Sequence, residues 1–254
     1  MIDCKKYADE ILSTVKGYGH LAVVSIGDDP ASQSYIRGKK KDCERVGFGF
    51  TNCAFKDGAI QDEIADCIRS LNENPEITGI ILQLPVPESY EAEYLASIIY
   101  PSKDVDGLHP LSPFSPCTPE GINYLLHREL GELTGKHAVI IGRGKLVGKP
   151  LAKMLLAEDM TVTVCHSKTP LADVQQLASL ADVVVVAAGV PQHFAFPNLH
   201  RRAVVIDCGV HRLIGGDLCG DVSYTSNGHC TPVPGGIGLL TRAMLIKHVE
   251  RKTE

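Results

Sequence analysis

The stretch AVIIGRGKLVGKPLAKMLLAEDM, residues 138–160, is the most informative part of this 254-residue chain. It begins with a strand-length apolar run, turns through Gly142, Arg143 and Gly144, and continues into a helical stretch. Together a strand, a glycine-rich turn and a helix N-terminus form a phosphate site, because glycines let the backbone approach an anion that the helix dipole favours. The spacing G-x-G-x-x-x-G is one residue longer than the usual dinucleotide fingerprint. The alternative explanation is a tight turn that merely needs glycine.

Strand-length apolar runs alternate with stretches of helical spacing along the rest of the chain. The apolar runs occupy residues 21–26, 77–82, 138–141, 161–165, 183–187 and 203–206. Apolar residues at helical spacing lie between them, at residues 60–71, 122–126 and 151–155. Buried parallel strands that alternate with amphipathic helices are typical of α/β proteins, so we expect this fold class.

A proline-rich segment predicts the boundary between two domains. Residues 100–119 contain five of the fifteen prolines and show no hydrophobic periodicity. We therefore predict one α/β domain over residues 1–119 and a second over residues 120–238. A last helix over residues 239–249 follows another stretch rich in proline and glycine. Its pattern leaves open which of the two domains it joins.

Composition excludes several classes of protein. The chain has 25 basic and 30 acidic residues, a formal net charge of −5 and 44% hydrophobic residues, which is ordinary for a globular protein. This charge gives no general attraction to nucleic acid or to an anionic membrane, so small-molecule partners are expected. Nine dispersed cysteines without a C-x-x-C pair, no signal peptide and no run of about 20 apolar residues predict a cytoplasmic protein with reduced thiols. No zinc, serine-hydrolase or P-loop motif occurs, and no metal is expected.

The strand at residues 161–165 indicates which dinucleotide the chain would bind. An NAD site carries an acidic residue about twenty positions after the glycines, where it holds the ribose 2′-hydroxyl. Here the strand is followed by His166, Ser167 and Lys168 and offers no carboxylate. A hydroxyl and a cation, with Arg143 and Lys145 in the glycine turn, suit a 2′-phosphate, so NADP is favoured over NAD.

Later strand ends supply further candidate cofactor contacts. In open α/β sheets, ligands bind at the carboxyl ends of the strands. Ordinary turn chemistry would also explain small residues at these positions. The candidates at strand ends are Gly189, Cys208, Gly209 and Val210, and Thr231 in the loop at residues 231–238 is a further candidate.

The first half of the chain carries the candidate reactive groups. Ser32 begins a predicted helix on which Tyr35, Lys39 and Cys43 are spaced i, i+4 and i+8. Residues at this spacing share one face of a helix, so an aromatic ring and an amine point the same way.

Three further segments could contact a ligand. The strand at residues 77–82 leads into Gln83, Leu84 and Pro85, which places a neutral amide at a strand end. Asp104 and Asp106 precede a glycine and could bind N–H donors, although an Asx turn is the ordinary explanation. The loop TPVPGGIG, residues 231–238, has few side chains and would let a flat ligand pack on its backbone.

These segments together resemble one family, the bifunctional methylenetetrahydrofolate dehydrogenase/cyclohydrolases. The matches occur in the family's order and cover nearly the whole chain. They are DDPAS-x-x-Y-I-x-x-K-K-K at 28–41, GIILQLPVP at 79–87, KDVDG at 103–107, PCTP at 116–119, GRGK-x-VGKP at 142–150, VIDCGV at 205–210, GDV at 220–222 and TPVPGG at 231–236.

The resemblance implies a folate-binding domain and a Rossmann-like NADP-binding domain with a cleft between them. It also implies a homodimer, a last segment, residues 239–254, that joins the first domain, and a role in one-carbon metabolism and purine biosynthesis. The expected activity is oxidation of 5,10-methylenetetrahydrofolate with NADP, followed by hydrolysis to 10-formyltetrahydrofolate. A polyglutamate tail on the folate is compatible with this activity.

The resemblance also implies roles for single residues. Lys39 corresponds to the catalytic lysine, Tyr35 to a tyrosine that stacks on the ring, Gln83 to the lysine's partner and Asp106 to the pterin anchor. Further folate contacts fall on Leu84, Pro85, Pro234, Gly235 and Gly236. The cofactor contacts fall on Gly142, Arg143, Gly144, Ser167 and Val210.

The chain differs from the family's usual motifs at two places, and three other functions remain open. Gly144 stands where the family commonly has serine, and Leu239 and Leu240 replace a Pro-Met pair. A single-function dehydrogenase of the same family would share most of the motifs. A shikimate-type NADP dehydrogenase would share only the second domain, and a folate- or nucleotide-binding module would bind without turnover.

Overall fold

The computed structural model describes residues 1–252, which form two compact units. The lysine unit comprises Glu10–Cys117 and the described residues from Arg242 on, and the glycine-turn unit comprises Met1–Asp9 and Thr118–Thr241. The predicted domains, 1–119 with 239–254 and 120–238, differ from this division at residues 1–9 and by a few residues at the other boundaries. They stay predictions.

Helices and parallel strands alternate along the described chain, which confirms the predicted α/β class. A short 3-10 helix, Pro101–Lys103, precedes the fifth α-helix. The elements in order are α1 (Cys4–Ser13), β1 (His20–Ile26), α2 (Pro30–Val46), β2 (Gly49–Phe55), α3 (Gln61–Glu73), β3 (Gly79–Leu82), α4 (Ala92–Ser97), α5 (Cys117–Leu130), β4 (His137–Ile141), α6 (Gly148–Ala157), β5 (Thr161–Cys165), α7 (Leu171–Ser179), β6 (Val183–Val186), β7 (Phe194–Phe196), β8 (Val204–Asp207), β9 (His211–Arg212), β10 (Leu218–Cys219), β11 (Val222–Thr225) and α8 (Ile237–Val249).

The lysine unit is built on a three-stranded parallel sheet of order β2-β1-β3. The central strand β1 is buried along nearly its whole length, as an apolar run of this kind predicts. Its residues Ala22 and Val24 pack with Ile64 and Ile68 of α3 in one hydrophobic core. The edge strand β2 alternates between partly buried and exposed residues and lacks a continuous apolar run, so its sequence gave no strand prediction.

Helix α2 begins at Pro30, two residues before the predicted start at Ser32. Asp29 caps the helix, and its side chain accepts a hydrogen bond from Ser32 N at 2.7 Å. Pro30 occupies the first turn, where its missing N–H costs nothing and its fixed φ suits the helix. The helix ends at Gly47, whose φ of 77° lies in the left-handed region that glycine tolerates.

The glycine-turn unit contains a four-stranded parallel sheet of order β5-β4-β6-β8, covered on both faces. Successive side chains of a strand point to opposite faces. Ala138 and Ile140 of β4 therefore lie in one core cluster, and Val139 and Ile141 lie in the other. A strand that is buried on both faces has apolar residues at successive positions. Because β4 and β6 have such continuous apolar runs, the sequence predicts both strands well.

The predicted strands and helices of both units are present in the structure, with small shifts at their ends. The last helix begins at Ile237 rather than at residue 239. The segment 100–119 is not wholly irregular, because it contains the 3-10 helix and the first turn of α5. None of the helices within residues 1–252 is long and apolar enough to cross a membrane.

Candidate active site

Lys39 is buried within the lysine unit and bonded to a neutral partner. Its side chain extends from α2, and the residue is only 9% exposed. The Nζ atom donates a hydrogen bond to Gln83 Oε1 at 2.8 Å. Gln83 follows the end of β3, where its N–H donates to Val24 O at 2.8 Å and its side-chain Nε2 donates to Leu84 O at 2.6 Å. The amide is thus held on both sides and fixes the position of the amine.

The surroundings of Lys39 lower the pKa of its ammonium group. Burial lowers the pKa of the Lys39 ammonium, because a charged group loses its hydration in the interior. Asp106, Cys117 and Cys43 act in the opposite direction, and the guanidinium of Arg242 adds to the lowering. The result is an amine whose pKa lies below the ordinary lysine value, with a neutral amide as its hydrogen-bond partner.

Tyr35 lies one helical turn before Lys39 and is partly buried. Burial raises the pKa of its hydroxyl group, and Arg242 offsets part of this rise. The phenol therefore stays neutral at physiological pH, as a ring that packs against a flat ligand requires. The structure thus keeps Tyr35 and Lys39 on one helix face, as their spacing predicts, with Cys43 fully buried at the end of that row.

Asp106 lies in a tightly held loop of the same unit. Main-chain and side-chain groups fix the loop on both sides of it: Cys117 N donates to Asp106 O at 3.3 Å, and Cys117 Sγ donates to Val105 O at 3.2 Å. Gly107 has a φ of 71°, and a Cβ there would lie 2.4 Å from Ser115 O. Burial raises the pKa of the Asp106 carboxyl, while the nearby Lys39 ammonium opposes this effect. The structure therefore brings Lys39, Gln83 and Asp106 into one cluster.

Arg242 is a neighbour of this cluster that sequence reasoning missed. Its Nε donates to Asp42 Oδ2 at 2.8 Å in a largely buried ion pair. A Cβ built at Gly38 would lie 2.0 Å from Arg242 Nη1, so the guanidinium passes over a helix position that has no side chain. The only signal in the sequence is a glycine directly before Lys39, and that signal does not identify the arginine.

The glycine turn of the other unit leaves its backbone open at the carboxyl edge of β4. Gly142 has a φ of 119°, and a Cβ there would lie 2.1 Å from Ala187 O. A Cβ at Gly148 would lie 2.1 Å from Gly142 O, so α6 begins in direct contact with the turn. Residues 143–146 between them are exposed. A side chain at either glycine would collide with main-chain atoms and displace the turn, whose exposed backbone suits a phosphate at a helix N-terminus.

The end of β5 adjoins this turn. Ile141 and Cys165 are paired in register, and Gly142 N donates to Cys165 O at 2.9 Å. Ser167 and Lys168 follow this strand and are exposed. Parallel strands that end together place both segments at one edge of the sheet, where a hydroxyl and a cation can meet a phosphate group.

The remaining residues predicted to contact the cofactor differ in how far they are exposed to solvent. Gly189 and Val210 are exposed beyond the ends of β6 and β8. Cys208 is partly buried, and its N–H donates to Val186 O. Gly209 is buried, and its N–H donates to Asp207 Oδ1 at 2.9 Å. Thr231 is also buried, and its Oγ1 accepts a hydrogen bond from Asp207 N at 2.9 Å. Contacts from all five residues to a cofactor stay predictions.

The predicted folate-contacting loops are at least partly exposed within their own units. Leu84 is partly buried and Pro85 is exposed, directly after the fixed amide of Gln83. Pro234 and Gly235 are exposed, whereas Gly236 is buried. A Cβ at Gly236 would lie 2.2 Å from Pro232 O, so this turn admits only glycine there.

The two units are those of a dinucleotide-dependent α/β enzyme with a separate catalytic domain. Comparison with models of known protein families identifies the family within this class. The catalytic-domain model of tetrahydrofolate dehydrogenase/cyclohydrolase matches residues 2–106, and the model of its NAD(P)-binding domain matches residues 116–254. The chain belongs to this family, which confirms the resemblance drawn from the sequence motifs.

Individual relatives agree with this assignment. Bifunctional protein FolD of Bacillus cytotoxicus is 44% identical over 239 residues, which are 89% of this chain and 83% of the relative. Bifunctional protein FolD of Acetivibrio thermocellus is 41% identical over 90% of this chain and 84% of its own length. None of these relatives favours a shikimate-type dehydrogenase or a binding module without turnover.

Solved structures agree as well. The methylenetetrahydrofolate dehydrogenase-cyclohydrolase of Trypanosoma brucei, which was solved with NADP and an inhibitor, has a TM-score of 0.88 and 32% identity, covering 98% of this chain and 95% of that one. The bifunctional FolD of Campylobacter jejuni has a TM-score of 0.84 and 35% identity, with 97% and 94% coverage.

Proposed function

We propose that this chain oxidises 5,10-methylenetetrahydrofolate to 5,10-methenyltetrahydrofolate with NADP and then hydrolyses that product to 10-formyltetrahydrofolate. The observation that carries the proposal is the buried 2.8 Å hydrogen bond between Lys39 and Gln83 in a chain of this family. An amine that only positioned a ligand would need neither this burial nor a neutral partner. The pair therefore favours both activities over a dehydrogenase alone.

The oxidation requires alignment more than acid-base chemistry. The nitrogen lone pairs of the substrate can expel a hydride from the methylene carbon, so no proton is removed there. When bound, NADP supplies the nicotinamide ring that accepts this hydride. The chain's own task is to hold the folate in a reactive geometry. Tyr35 stacks on the ring system, Asp106 accepts hydrogen bonds from pterin N–H groups, and Leu84 and Pro85 line the same site.

The hydrolysis requires a base. Water attacks the methenyl carbon, and a proton of that water must be taken up as the new carbon–oxygen bond forms. The bond from this carbon to N5 then breaks, the hydroxyl oxygen becomes the formyl oxygen, and its proton passes to N5. Lys39 takes this proton at Nζ because burial lowers the pKa of its ammonium group and leaves more of the amine neutral. The positive charge of the methenyl substrate lowers that pKa further. Gln83 orients the amine without adding the negative charge that would restore its proton.

The glycine turn holds the cofactor phosphates. Gly142 and Gly144 let the backbone approach the anion, while Arg143 and Ser167 supply a cation and a hydroxyl group. The absence of a carboxylate among residues 166–168 supports NADP over NAD. Gly189, Cys208, Gly209 and Val210 beyond the later strand ends, with Thr231 in the loop before α8, complete the proposed cofactor set.

Other parts of the proposal rest on family resemblance. Pro234, Gly235 and Gly236 form a loop that contacts the folate. The protein acts as a homodimer in the cytoplasm, takes a folate with or without a polyglutamate tail, and requires no metal, nucleic acid or membrane.

Replacement of Lys39 by methionine tests the proposal. Both partial reactions are measured on one purified sample, by NADPH formation from methylenetetrahydrofolate and by decay of the methenyl absorbance. We expect Lys39→Met to abolish hydrolysis of methenyltetrahydrofolate, whereas any retained oxidation depends on substrate positioning. Lys41→Met is the matched control, since Lys41 is an exposed lysine two residues along the same helix.

The outcomes separate the candidate functions. Normal methenyl hydrolysis by Lys39→Met would refute the role of the amine. Oxidation without hydrolysis in the unaltered protein would identify a single-function dehydrogenase. Binding of folate and NADP without either reaction would identify a binding module.

A further inference from the structure

A buried carboxylate connects the two strand ends that carry proposed cofactor contacts. Asp221 has no exposed surface. Its Oδ2 accepts hydrogen bonds from the N–H groups of Ala188 and Gly189, both at 2.8 Å, just beyond the end of β6. Its Oδ1 lies 2.6 Å from His211 Nε2, at the start of β9. Since a carboxylate only accepts, Nε2 carries the hydrogen in this contact.

A second buried carboxylate holds the first in place. Asp207, the last residue of β8, accepts hydrogen bonds from Gly209 N at 2.9 Å, Asp221 N at 3.0 Å and Val222 N at 2.9 Å. The segment that carries Asp221 is therefore anchored to β8 through its main chain, so Asp221 is presented to β6 and His211 from a fixed backbone.

Two glycines make room for these carboxylates. A Cβ at Gly209 would lie 2.4 Å from Asp221 Oδ1, and a Cβ at Gly220 would lie 1.9 Å from Asp207 Oδ2. Neither glycine has a positive φ, so the need for glycine here is steric. The structure thus gives Gly209, a proposed cofactor contact, a second role in admitting Asp221.

We propose that Asp221 and His211 form a positioning pair that sets the two cofactor-facing segments, residues 188–189 and 209–211, for binding of NADP. The inference rests on the proposed function, because it assigns these segments to the cofactor. Gly189 and Val210 are exposed, whereas the carboxylates of Asp207 and Asp221 that hold their segments are buried. Internal hydrogen bonds through Asp221 therefore link the segments that carry the two exposed residues.

His211 is the residue of the pair that can be substituted without disturbing the core. It is partly exposed, so its replacement changes one hydrogen bond without opening the core. Without a donor at this position, Asp221 keeps its backbone partners on Oδ2 and loses its side-chain partner on Oδ1. The segment 209–211 then loses its side-chain link to residues 188–189.

The experiment compares two substitutions at His211. His211→Leu removes the donor, and His211→Gln keeps an N–H donor at a similar reach. Binding is measured by titrating NADPH and following its fluorescence, and the KM for NADP and for folate and the rate of cofactor-independent methenyl hydrolysis are measured on the same samples. His193→Leu is the matched control, since His193 is an exposed histidine of the same unit.

We expect His211→Leu to raise the Kd for NADPH and the KM for NADP about tenfold each, which corresponds to about 1.4 kcal/mol. His211→Gln recovers most of the affinity, and His193→Leu matches the unaltered protein. Unchanged NADPH binding by His211→Leu overturns the inference. An equal loss in the Leu and Gln variants also overturns it, as does a parallel loss of hydrolysis and of thermal stability. If the unaltered protein does not bind NADPH, the proposed function itself fails, which is a different result.

Discussion

Replacement of Gln83 by glutamate would test whether Lys39 needs a neutral partner. The variant keeps the size of the side chain and places a negative charge where Oε1 now accepts a hydrogen bond from Lys39 Nζ at 2.8 Å. A carboxylate stabilises the ammonium form of the amine. We expect methenyl hydrolysis to fall because less of Lys39 is neutral.

The magnitude follows from the geometry of the contact. Two unit charges about 4 Å apart interact by about 4 kcal/mol at an effective dielectric constant near 20. Gln83 Oε1 already stabilises the ammonium by about 1.5 kcal/mol through its hydrogen bond to Nζ, so this amount is subtracted. About 2.5 kcal/mol remains, which is close to a hundredfold decrease in the hydrolysis rate near neutral pH.

The assay follows decay of the methenyl absorbance between pH 6 and 9, with the oxidation rate measured in parallel. The pH dependence of hydrolysis should move to higher pH in Gln83→Glu, because a raised Lys39 pKa requires a higher pH to release the amine. Gln176→Glu is the control for net charge, since Gln176 is exposed in the glycine-turn unit. Hydrolysis at the unaltered rate throughout this pH range would show that Lys39 is not the base.

Three further substitutions have predicted outcomes. Arg242→Leu removes a cation that lowers the pKa of Lys39, so the pH dependence of methenyl hydrolysis should shift to higher pH. Gly144→Ser should lower the KM for NADP about threefold to tenfold by adding a hydroxyl donor, since a net hydrogen bond contributes about 0.5–1.5 kcal/mol. A Cβ at Gly144 meets no heavy atom within 4 Å in the described residues, so the serine fits. Lys168→Glu should raise the KM for NADP about 30-fold and that for NAD much less, because the new charge repels the 2′-phosphate by about 2 kcal/mol.

Each of these has an outcome that contradicts it. For Arg242→Leu, the comparison is Asp42→Asn, which breaks the same ion pair but keeps the cation. An equal pH shift in both variants would assign the effect to lost structure. A Gly144→Ser protein with weaker NADP binding would mean that the turn leaves no space for the hydroxyl group. Equal losses for NADP and NAD in Lys168→Glu would place the 2′-phosphate elsewhere.

The sequence alone determined the fold class, the central strands and the family. Strands buried on both faces, such as β4 and β6, are apolar along their length, and such a run can be recognised from the order of residues alone. The partly exposed strand β2 escaped prediction because its burial depends on what packs beside it. The helical spacing of Tyr35 and Lys39 likewise predicted a shared face, since 3.6 residues per turn is a local property of the chain.

Only the tertiary structure determined the pKa of Lys39 and the hydrogen bonds between residues that are distant in the chain. The pKa of Lys39 is lowered by burial and by Arg242, which is about 200 residues away in the chain and meets Lys39 only through the fold. Asp221 likewise meets the N–H groups of Ala188 and Gly189 through the fold, at the end of a sheet in which β6 and β8 lie side by side. Local sequence sets which residues a helix or strand presents. Desolvation and long-range hydrogen bonds arise from groups brought together in space, and sequence spacing does not encode those distances.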